Sequence, residues 1–258
     1  MVERGWALVT GASQGIGQAI AERLGQIGFR VVINYYQDAA GAERTLELVR
    51  SVGSDGFTVK ADVGEAASVT DMFDQLDQQM REGTRGELSV LVNNAGVQTF
   101  APLLELREED WDRTIRTNLK GTFLCTQQAA RRMRAHGGSI VNIGSGANRV
   151  PFPNLGDYCA SKGGIEMLTK VAAVELGRYA IRVNCVAPGA IENERTREED
   201  PTYASTWAEL TPLQRVGTVH DVADAVAMIL TDEAKFITGQ TIPVDGGLWM
   251  RGQWPYDF

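Results

Sequence analysis

The sequence predicts an α/β fold in which a doubly wound parallel sheet of seven strands carries helices on both faces. Short β-branched and apolar runs alternate with longer amphipathic stretches along the whole chain, as in a parallel sheet joined by helical crossovers. Several short runs, such as 31–33 (VVI) and 90–92 (VLV), are apolar throughout, which is typical of strands buried on both faces. A length of 258 residues with 43% hydrophobic side chains suits one large core. We therefore expect a single domain over residues 1–258.

Seven short apolar runs are the candidate strands, and they occupy residues 6–10, 29–34, 56–61, 89–93, 139–144, 181–187 and 241–244. The stretches between them repeat apolar side chains at helical spacing. The first helix shows this pattern at Ile16, Ala19, Ile20, Leu24 and Ile27, and the third at Val69, Met72, Phe73, Leu76 and Met80. Residues 192–201 are charged and poor in apolar side chains, which predicts a loop.

Charge and cysteine content argue against several classes of protein. With 25 basic and 33 acidic residues the net charge is −8, so we expect no nucleic-acid partner. No apolar run approaches the roughly 18 residues of a spanning helix, and the N-terminus lacks the apolar core of a signal peptide, so we expect a cytoplasmic protein without a membrane partner. Cys125, Cys159 and Cys185 form no C-x-x-C pair, and the two histidines are far apart, so we expect reduced thiols and no metal.

A glycine-rich turn follows the first predicted strand. Residues 11–17 read GASQGIG, with the spacing G-x-x-x-G-x-G. Glycines at such a turn let a diphosphate approach the backbone, and the following helix offers free N–H groups and a partial positive charge. The turn therefore predicts a dinucleotide site formed by Gly11, Ser13, Gln14, Gly15, Ile16 and Gly17.

The end of the second predicted strand should select the cofactor, because an acid there would bind the adenosine ribose hydroxyls. Asn34 and Tyr35 occupy this place, and no acid stands directly at the strand end. The charge that would repel a 2′-phosphate is therefore missing, although no adjacent Arg or Lys would bind one. On balance the segment favours NADP(H) over NAD(H), with both left open.

Tyr158 and Lys162 are four residues apart within a helical pattern, so both side chains lie on one face of the helix. A free tyrosine is a poor base at neutral pH, but a nearby ammonium stabilises phenolate over phenol. The pair therefore predicts a general acid/base, while a simple contact on the helix surface is the alternative.

The chain resembles the short-chain dehydrogenase/reductase family, in its branch of roughly 250 residues with a Rossmann-like sheet. The family's motifs occur in order and at family spacing: the glycine turn, Asp62-Val63, Asn93-Asn94-Ala95-Gly96, Asn118, Ser145, Tyr158 with Lys162, Pro188-Gly189, Gly239-Gln240-Thr241 and Val244-Asp245-Gly246-Gly247. The resemblance implies hydride transfer between NAD(P)(H) and a secondary alcohol, hemiacetal or carbonyl.

The resemblance also implies the role of each catalytic residue. Tyr158 would exchange a proton with the substrate oxygen, and Ser145 would hydrogen-bond the same oxygen. Lys162 would bind the nicotinamide ribose and assist Tyr158. Asn118 would hold a water that links Lys162 to solvent; as an alternative, it is a buried helix residue bonded to a backbone carbonyl.

Further cofactor contacts are implied at the remaining motifs. They comprise the adenosine side, at Asp62, Val63, Asn93, Ala95 and Gly96, and the nicotinamide side, at Pro188, Gly189, Ile191 and Asn193. The asparagine at 193 replaces a threonine that is common in the family. The motif at 93–96 could instead stabilise the end of the central strand.

Substrate specificity in this family lies in loops beyond the strand ends, and here the loop of about 190–213 is the largest. The candidate substrate contacts are Gln98, Ser145, Asn148, Asn154, Glu192 and Trp207. Polar side chains that donate and accept suit a small sugar or polyol, and 151–153 (PFP) and 189–191 (GAI) are similar to the family's sugar dehydrogenases. An ordinary polar loop is the alternative reading of these residues.

Two other functions compete with this hypothesis. A 3-oxoacyl-carrier-protein reductase would need a basic patch, for which Arg131, Arg132, Arg134 and Arg178 are candidates. The acidic run of Glu192, Glu194, Glu198, Glu199 and Asp200 disfavours an acidic carrier protein. A non-catalytic dinucleotide-binding sensor is disfavoured by the intact set of catalytic residues.

The C-terminal residues 246–258 carry five large apolar side chains, Trp249, Met250, Trp254, Tyr256 and Phe258. An exposed apolar segment of this kind marks an interface. We therefore predict that it packs on a neighbouring subunit and closes that subunit's active site. Family members are commonly tetramers built through two long helices and the last strand, so a homotetramer is expected.

Overall fold

The structure is a computed structural model that describes residues 5–82 and 86–250. Its main sheet has seven parallel strands, as the sequence predicts, and their order is β3-β2-β1-β4-β5-β6-β9. These strands are β1 (Trp6–Val9), β2 (Arg30–Tyr35), β3 (Gly56–Lys60), β4 (Leu88–Asn93), β5 (Gly138–Ile143), β6 (Ile181–Pro188) and β9 (Thr241–Val244). The short strands β7 (Ile191–Glu192) and β8 (Gly217–Thr218) form a separate parallel pair.

The helices are α1 (Gly15–Gln26), α2 (Ala39–Ser51), α3 (Ala66–Glu82), α4 (Glu108–Thr114), α5 (Gly121–Met133), α6 (Gly156–Leu176), α7 (Glu194–Glu199), α8 (Tyr203–Leu210) and α9 (Val219–Ile229). A π-helical segment, Ile115–Lys120, joins α4 to α5. Short 3-10 turns occur at Gly146–Asn148, Gly177–Tyr179, Asp232–Ala234 and Leu248–Met250. In the described part of the chain no helix is long and apolar enough to cross a membrane.

The core lies on both faces of the sheet. Side chains of β2 alternate between the two layers, with Val31 and Ile33 in one and Val32 in the other, because successive strand residues point to opposite faces. Helices α1, α2 and α9 cover the first face, and α3, α5 and α6 cover the second. This two-sided burial explains the uninterrupted apolar runs in the sequence.

The loop predicted at residues 192–201 is wrong in part, because α7 lies within it. The Asn193 side chain accepts a hydrogen bond from the N–H of Thr196, and the Thr196 hydroxyl accepts one from the N–H of Asn193. This reciprocal capping box starts a helix without the support of an apolar face. Hydrophobic periodicity therefore gave no sign of it.

β1 pairs with β2 on one side and with β4 on the other, so the direction in which strands are added to the sheet reverses between β1 and β4. Sheets of this kind form a crevice at the carboxyl ends of the strands at such a point. The glycine turn follows β1, and the motif at 93–96 ends β4. The topology therefore brings the two motifs to the same edge of the sheet.

Candidate active site

The glycine turn is shaped for close approach of a ligand. Gly15 has φ +57° and no described atom lies within 4 Å of a Cβ placed there, so the space beside it is open. Gly17 is the opposite case, because a Cβ there would collide with the Gly11 carbonyl oxygen and the Asn94 amide. Gly15 therefore leaves room for a diphosphate, whereas Gly17 lets the turn pack against the end of β4.

The first turn of α1 is available to an anion. Within the described residues, Gln14 at its N-cap makes no capping hydrogen bond through its side chain, and the first turn contains no acid. The leading N–H groups of the helix and its positive dipole end therefore face the open space beside Gly15. These features fit the diphosphate of a dinucleotide.

Asn94, to which the sequence assigned no role, holds the turn in place. Its Nδ2 donates to the carbonyl oxygens of Thr10 at 3.0 Å and Gly11 at 2.9 Å. The Thr10 hydroxyl in turn accepts from the N–H groups of Asn94 at 3.0 Å and Ala95 at 3.1 Å. Ala95 itself is half-buried and packs against Gly11. The sequence motif Asn93-Asn94 pointed to this place, but it does not indicate which of the two side-chain amides faces the glycine turn.

Two predicted cofactor contacts are buried away from the crevice. Asn34 Nδ2 donates to the carbonyl oxygens of Val59 and Ala61, and its Oδ1 accepts from the N–H of Gly11 at 3.2 Å. Asn93 Nδ2 donates to Thr126 Oγ1 at 3.1 Å and to Asn142 Oδ1 at 2.8 Å. Both side chains are nearly inaccessible, so a cofactor contact of these two residues would be made through the backbone.

β2 ends at Tyr35, which is half-buried. The acid that follows it in the chain, Asp38, already accepts a hydrogen bond. Asp38 caps α2 by accepting from the N–H of Gly41 at 2.8 Å. The exposed Arg44 guanidinium lies 3.9 Å from the Asp38 carboxylate. A cation thus lies beside Asp38, close after the end of β2, and the sequence analysis did not identify it.

Asp62 and Val63 follow β3 at the same sheet edge. Asp62 is half-buried, and one carboxylate oxygen accepts from the N–H of Gly64 at 2.9 Å. Val63 is buried against Gly121 at the start of α5. Gly96 is exposed beside Asn118. Of these positions, Asp62 and Gly96 are accessible to an adenosine, whereas Val63 is buried.

The catalytic side chains meet at the ends of β5 and α6. Ser145 directly follows the turn after β5, and its Oγ accepts from the N–H of Ala147 at 3.1 Å. Lys162 is 4% exposed, its Nζ donates to the carbonyl oxygen of Ile143 at 2.8 Å, and the same nitrogen lies 5.4 Å from the centre of the Tyr158 ring. The ammonium is therefore held between the end of β5 and the phenol.

Asn118 lies in the π-helical segment and is 0% exposed. Its Nδ2 donates to the Val97 carbonyl oxygen at 2.8 Å and to Ser161 Oγ at 3.0 Å, and its Oδ1 accepts from the N–H of Val97 at 2.8 Å. The side chain thus ties the segment after β4 to α6. The predicted alternative of a buried residue bonded to a backbone carbonyl describes these contacts, and the π-helical irregularity is typical of functional sites.

A buried carboxylate that the sequence analysis missed adjoins the catalytic tyrosine. Asp157 is 0% exposed; one oxygen accepts from the Thr114 hydroxyl at 2.6 Å and the other from the N–H of Tyr158 at 2.7 Å. Thr114 is the last residue of α4, directly before the segment that carries Asn118. Asp157 therefore connects the start of α6 with the element that positions Asn118.

Pro188 ends β6, and Gly189 and Ile191 follow it, where the nicotinamide side was predicted. The N–H of Gly189 donates to the Val244 carbonyl oxygen at 2.9 Å, and a Cβ on this glycine would lie 2.6 Å from Asp245 Cβ. Pro188 and Ile191 are buried. The Asn193 carbonyl group of the side chain caps α7, which leaves only its NH₂ group for the predicted carboxamide contact.

The candidate substrate contacts divide into free and engaged side chains. Gln98 is exposed, and Asn154 has φ +66° in the loop that contacts Ala101. Asn148 is engaged, because its Nδ2 donates to Glu166 Oε2 at 2.6 Å. Glu192 lies 3.9 Å from the Arg197 guanidinium. The polar group predicted to contact substrate is thus smaller than the sequence suggested.

Four aromatic side chains, which we call the aromatic cluster, meet near Ser145 instead. Trp249 packs on Phe152 with ring centres 5.1 Å apart and on Trp207 at 6.1 Å, and Trp207 packs on Tyr203 at 6.1 Å. Burial raises the pKa of the Tyr203 phenol. Trp249 therefore packs within its own chain, and residues 251–258 of the predicted interface segment lie outside the described residues.

Comparisons with known proteins agree with this geometry. The profile of a family described as enoyl-(acyl carrier protein) reductase matches residues 11–249. The 3-oxoacyl-(acyl-carrier-protein) reductase FabG of Staphylococcus aureus is 41% identical over 245 residues, which cover 95% of this chain and 98% of that protein. Glucose 1-dehydrogenase 2 of Bacillus subtilis is 37% identical over 248 residues, covering 94% and 93%.

A solved structure is also similar along almost the whole chain. The crystal structure of the angucycline C-6 ketoreductase LanV with bound NADP superimposes with a TM-score of 0.91 at 36% identity, covering 97% of each chain. The similarity therefore spans both the glycine turn and the catalytic residues.

Proposed function

The chain belongs to the short-chain dehydrogenase/reductase family and is an NAD(P)-dependent oxidoreductase acting on CH–OH groups, and on that premise we propose that Tyr158 is its general acid/base. The observation that carries the proposal is the buried Lys162 ammonium beside the Tyr158 ring. A cation in this position favours negative charge on the phenol oxygen. The phenolate can then accept the proton of a substrate hydroxyl, and the phenol can return it to a carbonyl oxygen.

The other residues orient the substrate and the charged groups. Ser145 Oγ accepts a hydrogen bond from the N–H of Ala147, so its own hydroxyl hydrogen is not used in that bond. The hydroxyl can therefore turn towards the crevice and donate to the substrate oxygen. Asn118 fixes the backbone at Val97 and the hydroxyl of Ser161 on α6. A bound nicotinamide supplies or accepts the hydride. The role of the protein is thus to align the groups and to hold the proton at Tyr158 Oη.

We propose NADP(H) as the preferred cofactor. No acid stands directly at the end of β2, and Arg44 supplies an exposed cation on the first turns of α2, which suits a 2′-phosphate. The preference is measured as the ratio of kcat/KM for the two cofactors. Arg44→Ala should lower kcat/KM for NADP(H) and leave kcat/KM for NAD(H) unchanged. The control is Arg50→Ala, which removes an exposed arginine further along α2 that pairs with Asp55. It should change neither value.

A small sugar or polyol is the substrate class that we propose. The half-buried aromatic cluster offers faces for the C–H side of a sugar ring, and Gln98 and Asn154 remain as polar contacts. The acidic side chains of α7 and its flanks are exposed. They would repel an acidic carrier protein at this entrance.

Reduction of a 3-oxoacyl group on a carrier protein is the second candidate, favoured by the FabG relative and by one surface feature. The guanidinium groups of Arg134 and Arg178 both lie over the Tyr179 ring, at 5.2 and 4.9 Å. Arg132 does not join them, because it is bonded to Asp77 and stacks on Phe73. The predicted basic patch is therefore smaller than four arginines.

A substrate screen separates the two candidates. Purified protein is assayed with aldoses, polyols and β-keto thioesters against both cofactors, following the absorbance of the reduced nicotinamide. Activity on sugars or polyols supports the proposed substrate class. Activity confined to β-keto thioesters would select the second candidate and leave the role of Tyr158 unchanged.

We also propose that the protein is a homotetramer. Phe123, Met167, Val171 and Val174 expose apolar surface on the adjoining helices α5 and α6, and β9 lies at an edge of the sheet. Exposed apolar faces of this kind are typical of contacts between copies. Light scattering after size-exclusion chromatography measures the mass, and Val174→Glu should reduce it; a monomeric wild-type protein would contradict the proposal.

A further inference from the structure

Trp249 lies against the loop that carries the catalytic serine of the same chain. A Cβ placed on Gly146, the residue after Ser145, would collide with the indole ring of Trp249. The backbone N–H of Trp249 donates to Asp245 Oδ2 at 3.2 Å, and Asp245 packs against Gly189. The indole therefore lies against the Ser145 loop, and the backbone of Trp249 is anchored at Asp245, beside the segment after β6.

The indole is part of a continuous aromatic surface drawn from three segments of the chain. Phe152 comes from the loop between Ser145 and Tyr158, and Trp207 comes from α8. Both rings are half-buried, as is Trp249, so each retains an exposed part. Tyr203 extends the surface beyond Trp207, with the two ring centres 6.1 Å apart.

We propose that Trp249 is a specificity-determining residue, which with Phe152 and Trp207 forms a wall that admits a compact cyclic substrate and obstructs an extended acyl chain. This inference rests on the proposed oxidoreductase function of the Tyr158 site. Aromatic faces stack well on a flat ring with C–H groups. Because Trp249 lies against Gly146, the residue after Ser145, the wall leaves little space for a linear acyl chain that extends beyond the substrate carbonyl.

The indole nitrogen provides a way to separate shape from hydrogen bonding. Trp249 Nε1 is buried and has no hydrogen-bond partner among the described residues. Trp249→Phe therefore preserves an aromatic face and sacrifices no hydrogen bond, whereas Trp249→Ala removes the face. Gly146→Ala displaces the indole without altering it, and Gly177→Ala is the control, because a Cβ at this helical position meets no described atom within 4 Å.

The assay compares kcat/KM for two ring compounds, D-glucose and cyclohexanone, with that for 3-oxodecanoyl-N-acetylcysteamine, each with its matching redox form of NADP. We expect Trp249→Ala and Gly146→Ala to lower the ring-to-chain ratio by about tenfold or more. Trp249→Phe and Gly177→Ala should keep the ratio within about twofold of wild type. An unchanged ratio in Trp249→Ala overturns the inference.

A wild-type protein that turns over none of the three compounds contradicts both proposed substrate classes, and the wall is then judged by binding. Calorimetric titration of the NADP⁺-saturated protein with D-glucose and cyclohexanol should show binding that Trp249→Ala loses. Equal binding by the variant, or none by wild type, overturns the wall.

Mixed oligomers test whether the wall acts within its own subunit. When Tyr158→Phe and Trp249→Ala chains are co-expressed, every active Tyr158 site lies on a chain without Trp249. We expect these oligomers to keep the low ring-to-chain ratio of Trp249→Ala. Recovery of the wild-type ratio would show that a neighbouring subunit supplies the wall and would overturn the assignment to the same chain.

Discussion

Replacing Thr114 by valine should reveal how strongly the buried Asp157 carboxylate holds the site together. Among the described residues, Asp157 receives two donors, the Thr114 hydroxyl and the N–H of Tyr158, and no Lys, Arg or His forms an ion pair with it. Valine has nearly the same shape as threonine, so the change removes a donor without opening a cavity. A hydrogen bond to a charged group contributes about 1.5–3 kcal/mol.

We therefore expect Thr114→Val to lower the free energy of unfolding by about 2–3 kcal/mol. For a chain of this size that corresponds to a fall in Tm of roughly 4–12 °C. Thr122→Val is the matched control. The Thr122 hydroxyl is also buried, but it donates to the neutral backbone carbonyl oxygen of Asn118 at 2.7 Å, a hydrogen bond that contributes about 1 kcal/mol.

Urea denaturation of both variants, at equal protein concentration, measures the difference. The same preparations give kcat and the cofactor Kd. We expect kcat to fall for Thr114→Val with little change in Kd, because Thr114 adjoins the segment of Asn118 and Asp157 adjoins Tyr158. A loss of stability no larger than that of Thr122→Val would refute the reasoning.

Two further predictions concern the cofactor turn and the thiols. Gly15→Ala should weaken cofactor binding by at least about tenfold while lowering the free energy of unfolding by only about 1 kcal/mol, because φ is positive there and the methyl group enters the open space; unchanged affinity in a fluorescence titration would show that the diphosphate lies elsewhere. Burial raises the pKa of Cys125 to about 12 and that of Cys185 to about 11, so at pH 8 both remain protonated and unreactive. A thiol titration should therefore label only Cys159 in the native protein and all three cysteines after unfolding, and a second rapidly labelled native thiol would contradict the burial.

The sheet and its helices could be predicted because their signals are local. Alternation of buried residues such as Val31, Val32 and Ile33 follows directly from strand geometry. The alternation of strands with helices predicted a parallel sheet covered on both faces, whereas the order of the strands was not predicted and comes from the structure. The spacing of Tyr158 and Lys162 likewise places the two on one helix face wherever the helix packs.

The direction of neighbouring amides could not be predicted. Asn93 and Asn94 are adjacent and chemically identical, but successive side chains diverge at the end of a strand. The structure turns Asn93 into the core and Asn94 towards the glycine turn. A motif thus identifies the place of the site without stating which member touches a ligand.

The local partners of polar loop residues could not be predicted, because nearby backbone and side-chain groups compete for them. Asn193 caps a short helix and Asn148 bonds to Glu166, two uses that no spacing in the sequence announces. Trp249 shows the converse problem. Its partners, Phe152 and Trp207, are distant in sequence, so the contact of Trp249 within the chain could not be predicted.

The proton-transfer role of Tyr158 is tested most directly by turnover of Tyr158→Phe with the best substrate from the screen. Phenylalanine keeps the ring that lies near the Lys162 ammonium and removes only the hydroxyl group. We expect kcat to fall by about a hundredfold or more, with the Kd for NADP(H) within about twofold of wild type by fluorescence titration. Turnover within about tenfold of wild type, at unchanged cofactor affinity, would contradict the assignment of the proton to this phenol.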